Sequence, residues 1–345
     1  MYKLNYIQIN VNKKTYNSYY LSSFILFFLA FSSIPVYFYI MTTIPMYPEF
    51  IDIQCSLFDE IHPFLQQTGE GISEFTFPSL FLHRTKYGYK LTRLSQNCYA
   101  LSGTYKEKRF FSLLGLMAAE DEDKVIQLLD QFDYWKNMSE AQKEKLSPGF
   151  LQKIEQSYDI IDDRDNADYL YYREDLALLP GKSFHKKKNL VNAFEAAYTP
   201  EVKPLDGHTK EDARKVLDEW HADRDPSIPT DYIQCVEALN SMDLENKKIC
   251  MVFSGVVVYA DGKPVGWALG ETINKGNSFC VHFEKGINSY KGVYQYLNRA
   301  TALSLPPQIT YINREQDLGD EGLRQAKMTY RPCGFVKKYR ISPKS

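Results

Sequence analysis

Ser278-Phe279-Cys280-Val281-His282-Phe283-Glu284, followed by Lys285-Gly286-Ile287-Asn288-Ser289-Tyr290-Lys291-Gly292, decides how the chain is read. The first seven residues alternate apolar and polar side chains as a half-buried strand does, and the next eight break that pattern with two glycines and two lysines. Val293, Leu297 and Ala300 then recur at helical spacing and leave Gln295, Asn298 and Arg299 on other faces. A strand entering a glycine-bearing turn and a helix start offers unpaired N–H groups and the positive end of a dipole, which suits an anion. Gln308–Ile312 reads as a second strand, after which Asn313-Arg314-Glu315-Gln316-Asp317-Leu318-Gly319 leads into a weaker helix ending near Tyr330-Arg331-Pro332. Two strand ends thus bring polar clusters to one sheet edge, where open α/β sheets place ligands.

The chain has 345 residues, 44% of them hydrophobic, so it can bury a sizeable core and suggests two domains. Its 26 Tyr and 21 Phe fit a globular protein, and a net charge of -2 excludes a broadly basic nucleic-acid coat. Cys55, Cys98, Cys235, Cys250, Cys280 and Cys333 form no CxxC, and the six histidines form no paired metal motif. No metal ligand is assigned, and the cysteines are read as buried thiols of a reducing compartment.

Residues 1–45 form an N-terminal extension. No charged residue lies between Lys14 and Glu49, and the apolar run at 20–41 is long enough to span a bilayer. Lys3, Lys13 and Lys14 before it and acidic residues after it would place the body outside the cytoplasm. A signal peptide is the near alternative, and a start at Met41 or Met46 removes the run altogether. Residues 46–165 read as a first domain of mixed helices and strands. It has a helix through Leu57, Ile61 and Leu65, a hairpin of 87–94 with 98–104, a strand at 110–116 and a helix over 124–135, and no catalytic signature. The acidic stretch from Asp159 to Asn166 reads as a linker, and 166–345 as the second domain. There Lys182, His185, Lys186, Asn189 and Asn192 fall near one helical face, where amides beside lysines suit a phosphate or an RNA backbone. Thr209 and Asp212 read as a variant capping box, and Ile249–Tyr259 with Val265–Glu271 as a hairpin. The expected class is mixed α/β.

Three groups of residues carry a family resemblance: Leu179-Pro180-Gly181-Lys182 with His185, Lys187, Lys188, Asn189, Asn192 and Phe194; Glu284-Lys285-Gly286 with Gly292-Val293-Tyr294; and Asn313-Arg314-Glu315-Asp317-Leu318-Gly319 with Gly322-Leu323, Lys327 and Tyr330. From about Met46 to its end the chain resembles the C-terminal domain family of bacterial phosphatidylglycerol lysyltransferases, as a stand-alone member. The resemblance implies two tandem domains of the Gcn5-related N-acetyltransferase-like fold, the second one active. It also implies transfer of an aminoacyl group from charged tRNA to an amine or hydroxyl, with phosphatidylglycerol or a peptide among the acceptors. The many-helix membrane portion of the full lysyltransferases has no counterpart here, which bears on a lipid acceptor.

Acyl transfer needs a base for the nucleophile, donors for the oxyanion and an acid for the leaving group. Glu315 and Asp317 are the candidate bases, Glu284 the reserve, and Tyr330 the candidate acid. An ion pair of Glu315 with Arg314 or Lys327 is the bland alternative. Substrate or phosphate contacts are expected from Lys182, His185, Lys186, Lys187, Asn189, Asn192, Lys285, Gly286, Lys291, Gly292, Asn313, Arg314 and Lys327. No firmly bound cofactor is expected. The co-substrate is aminoacyl-tRNA, favoured by the basic helix, or acyl-coenzyme A, disfavoured by a loop with few glycines. A non-catalytic nucleotide- or RNA-binding module is the alternative of another class. Both co-substrates and the free cysteines favour a cytoplasmic protein begun at Met41 or Met46, against a single-pass membrane protein spanning at 20–41.

Overall fold

A computed structural model describes residues 10–11, 14–15, 44–242 and 252–344. The chain divides into two units, Met1–Thr42 and Thr43–Ser345. In the first, β1 (Asn10–Val11) pairs antiparallel with β2 (Lys14–Thr15). The apolar run at 20–41 and Met41 lie outside the described residues. Among those described, no helix is long and apolar enough to cross a membrane.

The second unit is mixed α/β, with two seven-stranded sheets among the described residues. In the first sheet β3 (Ile51–Asp52), β4 (Lys90–Ser95), β5 (Cys98–Tyr105) and β6 (Lys108–Gly115) form an antiparallel meander. Helices α1 (Phe58–Thr68) and α2 (Phe77–Tyr87) lie between β3 and β4 in sequence, and α3 (Glu122–Gln131) leads to β7 (Tyr134–Ser139), which joins β6 in parallel. The helix expected over 124–135 therefore stops at Gln131, and Trp135 is a fully buried strand residue. After α4 (Glu140–Lys145) and α5 (Pro148–Ile154) comes β8 (Tyr158–Asp162), so the first half of the acidic stretch read as a linker is a strand and Arg164–Asn166 a short 3-10 turn. The charged residues of β8 occur at a sheet edge, where side chains reach water.

The second sheet repeats the plan. β9 (Asp168–Tyr172) runs into α6 (Arg173–Leu178), and then come α7 (His185–Ala197), β10 (Pro200–Pro204), α8 (Lys210–Ala222) and α9 (Tyr232–Ser241). The meander of β11 (Phe253–Ala260), β12 (Lys263–Ile273) and β13 (Ser278–Gly286) is followed by α10 (Val293–Ser304) and by β14 (Tyr311–Asn313), which is parallel to β13. α11 (Glu321–Met328), β15 (Gly334–Val336) and β16 (Lys338–Pro343) complete the chain.

The boundary drawn at residue 166 misses one connection. β9 lies between β14 and β15 in the second sheet, while β16, the last strand, enters the first sheet between β7 and β8. One apolar core also joins the halves: Phe77 and Leu80 of α2 belong to the same cluster as Leu217 of α8 and Trp267 of β12. A fully buried side chain of this kind contributes roughly 1.5–3 kcal/mol, so several across the join hold the halves together. The Thr209–Asp212 capping box does not form. Thr209 Oγ1 donates to the Pro204 carbonyl at 2.7 Å, and Asp206 Oδ1 accepts the amides of His208 and Thr209 instead.

Candidate functional site

β13 and β14 pair over only three positions, Ser278 with Tyr311, Phe279 with Ile312 and Cys280 with Asn313. Beyond them β13 continues to Gly286 while the other chain turns away, which opens a wedge. On β13, Leu269 of β12 faces Phe283 and Gly270 faces Val281, so His282 is the extra residue of a bulge. The bulge reverses the alternation. Phe279 and Val281 pack with Ala302 of α10, whereas Phe283 joins the core shared with the first sheet. His282 is thereby aimed to the side of Cys280 and of Glu271, which lies opposite Cys280 on β12.

The imidazole bridges two carboxylates: Nε2 lies 2.9 Å from Glu271 Oε1, and Nδ1 lies 3.0 Å from Glu315 Oε1. Glu271 is fully buried and the His282 side chain nearly so, while the Glu315 side chain is 30% exposed. Burial opposes a charged imidazole, but Cys280 and the two carboxylates raise the His282 pKa well above its ordinary value. The Cys280 thiol, 3.8 Å from Nδ1, is pushed up to about 12, mainly by burial.

Glu315 itself sits at φ 57°. A left-handed backbone costs a non-glycine residue roughly 1–2 kcal/mol, so it must be held. Its N–H donates to Asn313 Oδ1 at 2.7 Å, and the Lys327 ammonium donates to the carbonyls of Arg314, Glu315 and Gln316 at 2.6, 3.1 and 2.6 Å. Asn313 is anchored in turn, its amide donating to the Gly71 carbonyl and to Asp168.

Glu315 edges a cavity of about 130 Å³ between the halves. Ser79, His83 and Tyr87 recur every four residues along α2 and line one wall; Tyr134 and Lys136, alternate residues of β7, line another. By the volume of liquid water the cavity holds roughly four waters or a small polar group. Its polar atoms are incompletely satisfied. Glu74 Oε1, His83 Nδ1 and Arg340 Nε are buried without hydrogen-bond partners among the described residues. Burial pushes the His83 pKa down to about 4, helped by Lys86, and lowers that of Lys136.

A second cluster lies on the side of the sheet covered by α10. Glu284 accepts from Arg314 at 3.0 Å and from Asn298 of α10 at 3.0 Å. The Tyr330 ring, 7% exposed, has the Lys187 ammonium 4.1 Å and the Arg314 guanidinium 5.2 Å from its centre. Burial pushes the Tyr330 hydroxyl up to about 12.

The structure therefore brings Glu284, Arg314, Tyr330 and Lys187 together and holds Glu315 apart from them on His282. Neither ion pair considered for Glu315 forms, since Arg314 goes to Glu284 and Lys327 to backbone carbonyls. Asp317 joins neither group. It is fully buried, accepting from Arg324 Nε at 3.0 Å and Nη2 at 2.9 Å, from the Gly319 N–H, and from the Tyr169 hydroxyl. A carboxylate with its lone pairs so occupied is a structural anchor, not a base.

Lys285 is also committed, 2.7 Å from Asp231 and 4.5 Å from the centre of the Trp220 ring. Gly292, at φ 89°, is required by the backbone: a Cβ there would lie 2.3 Å from the Leu190 carbonyl oxygen of α7. Beside Gly286 opens a shallow pocket of about 400 Å³ that Glu219 and Asp223 also line, a poor field for an anion. Lys291 is exposed, as are Lys182, His185, Lys186, Lys188, Asn189 and Asn192 on the basic segment, while Lys187 is half-buried. Cys98, Cys235 and Cys280 are buried free thiols, but Cys55 is half-buried and Cys333 exposed.

Sequence reasoning missed His282, Glu271 and Cys280, and in the first half Glu74, His83 and Lys136. The Cys-x-His step on a strand was a usable signal for the first group. For the others no local pattern existed, because the cavity is assembled from both halves.

The profile described as phosphatidylglycerol lysyltransferase, C-terminal, matches residues 66–342. Among curated proteins, MYCGA3080 of Mycoplasmoides gallisepticum, described as uncharacterized, is 23% identical over 196 residues, or 55% of this chain. The match spans 61% of that relative's length. A conserved protein of unknown function from Bacteroides thetaiotaomicron superposes with a TM-score of 0.73 at 25% identity, over 86% of this chain and 99% of that one. L-PGS from Bacillus licheniformis gives 0.53 at 13% identity, over 82% and 91%. The C-terminal domain of a protein described as a lysylphosphatidylglycerol synthetase, from Agrobacterium fabrum, gives 0.54 at 11%, over 84% and 92%. With the profile covering most of its length, the chain belongs to the family of phosphatidylglycerol lysyltransferase C-terminal domains.

Proposed function

We propose that the protein transfers an aminoacyl group from charged tRNA to an amine or hydroxyl acceptor, with Glu315 as the base. Family membership supports an aminoacyl or acyl transferase. The observation that carries the choice of base is that Glu315 alone among the candidate carboxylates is partly exposed at a polar cavity while fixed by a buried His282–Glu271 pair. In the proposed step the acceptor's nitrogen or oxygen attacks the ester carbonyl and loses its proton to Glu315. The new acyl bond forms as the ester C–O bond breaks, and the proton passes to the leaving oxygen. His282 and Glu271 are positioning residues.

The exposed Lys182, Lys186 and Lys188 favour an RNA donor over acyl-coenzyme A, as does the closure of Gly292 against Leu190. The shared plan of the two sheets supports reading the halves as acetyltransferase-like. We also propose a start at Met41 or Met46, to be tested by sequencing the N-terminus of the native protein. The functional test offers tRNAs charged with labelled amino acids, and separately acyl-coenzyme A, together with phosphatidylglycerol and peptide amines. Products are identified by mass spectrometry. Glu315→Gln is expected to slow transfer by about 10²–10⁴-fold.

A further inference from the structure

We infer that the gap bounded by Cys280 Sγ, His282 Nδ1 and Glu315 Oε1 takes a divalent cation of the zinc class, which replaces the proton joining His282 to Glu315. The three atoms stand 3.8 Å (S to N), 4.0 Å (S to O) and 3.0 Å (N to O) apart. A tetrahedral ion with bonds of about 2.3 Å to sulfur and 2.0–2.1 Å to nitrogen and oxygen spaces its ligands by about 3.6, 3.6 and 3.4 Å. Each observed separation is within about 0.4 Å of that value. Side-chain rotation alone closes such a difference.

The surroundings point the same way. Glu271 Oε1 holds Nε2 at 2.9 Å, so Nε2 keeps its proton and Nδ1 is the nitrogen left for a ligand bond. A carboxylate behind a ligating histidine is the usual way proteins orient one. Glu271 Oε2 is buried with no partner among the described residues, so this carboxylate has unspent charge to place against a cationic centre. Glu315, the exposed member of the three, edges the cavity and gives both an entry route and a place for water as fourth ligand. A thiolate in the set favours zinc over magnesium or calcium.

Binding balances as follows: the Cys280 thiol and the imidazolium each release one proton, the Glu315 carboxylate releases none, and one cation takes their place. The cation takes the place that His282 holds on Glu315 Oε1 and draws on the carboxylate's charge, so an occupied site weakens Glu315 as a base. The inference does not depend on which group the protein transfers.

The test uses the full chain freed of metal by a chelator and then titrated with Zn²⁺ by calorimetry in buffers of different ionisation enthalpy. One cation per chain is expected, with release of about two protons, that of the Cys280 thiol and the one held between His282 Nδ1 and Glu315 Oε1. Co²⁺ should show a thiolate charge-transfer band that Cys280→Ser removes, and Glu271→Gln should weaken affinity about 10–100-fold. Mg²⁺ should not compete. Absence of one-to-one binding, or a Co²⁺ complex lacking the thiolate band in the unmodified chain, overturns the proposal. So does a folded Cys280→Ser variant that binds with unchanged affinity and spectrum. If that variant does not fold, the proton count and the Co²⁺ band of the unmodified chain decide.

Discussion

The Lys338 ammonium lies 2.7 Å from Asp168 Oδ1, with both side chains fully buried, and ties β16, the last strand of the chain, in the first sheet, to β9, next to the edge of the second. Glu74 shares the ammonium, and Asp168 also accepts from Ser73 and Asn313. Removing one member leaves a buried charge without its partner. Lys338→Met is expected to cost about 3–5 kcal/mol, read from the midpoint of urea unfolding. A loss within about 0.5 kcal/mol, the range of ordinary surface changes, would show that the halves do not depend on this contact.

Gly292→Val tests whether the loop before α10 serves a ligand or the fold. A side chain there meets the Leu190 carbonyl at 2.3 Å and needs a left-handed backbone, so the variant should lose about 2 kcal/mol or more. Thermal unfolding measures it. A variant of unchanged stability that loses activity would return this glycine to a ligand.

Asp317 gives a pH dependence whose sign is fixed. Burial opposes its charge, but Arg324, the Tyr169 hydroxyl and the Gly319 N–H outweigh it and hold the carboxyl well below the usual range. A folded value below the unfolded one adds stability that is complete above about pH 4 and lost as pH falls toward the folded value. Asp317→Asn should flatten the acid side of the stability curve. At pH 7 it should cost about 2–3 kcal/mol, discounted because Arg324 and Arg164 are partly exposed.

Lys186→Glu with Lys188→Glu should weaken binding of tRNA, make it less salt-dependent, and change stability by no more than about 0.5 kcal/mol. Lys187 is not interchangeable with them, since it lies on the Tyr330 ring and its loss also removes packing. Binding unchanged across a salt series would remove the basic face from the site.

Much of the second sheet was legible because its signals are local. Val293, Leu297 and Ala300 are all buried on α10 as their spacing requires, and the β11–β12 hairpin falls at its turn residues, as the β4–β5 hairpin does in the first sheet. The partners of charged residues were not legible. Asp317 and Glu315 stand two positions apart in one polar run, yet one is locked by Arg324 and the other lies on His282. That difference depends on a single extra residue in β13, which a strict alternation of Ser278–Glu284 hides. β16 was unreadable for another reason: a six-residue strand carries no mark of which sheet it enters.

The most direct measurement compares transfer by the unmodified chain, Glu315→Gln and Asp317→Asn, each checked for folding, using charged tRNA and a mixture of lipid and peptide acceptors. The account predicts that Glu315→Gln loses about 10²–10⁴-fold in transfer while remaining folded, with some stability lost because His282 gives up one of its two carboxylate partners, and that folded Asp317→Asn loses far less. A Glu315→Gln variant that transfers at the unmodified rate, or an unmodified chain that transfers no acyl group from any charged tRNA or acyl-coenzyme A, would contradict it.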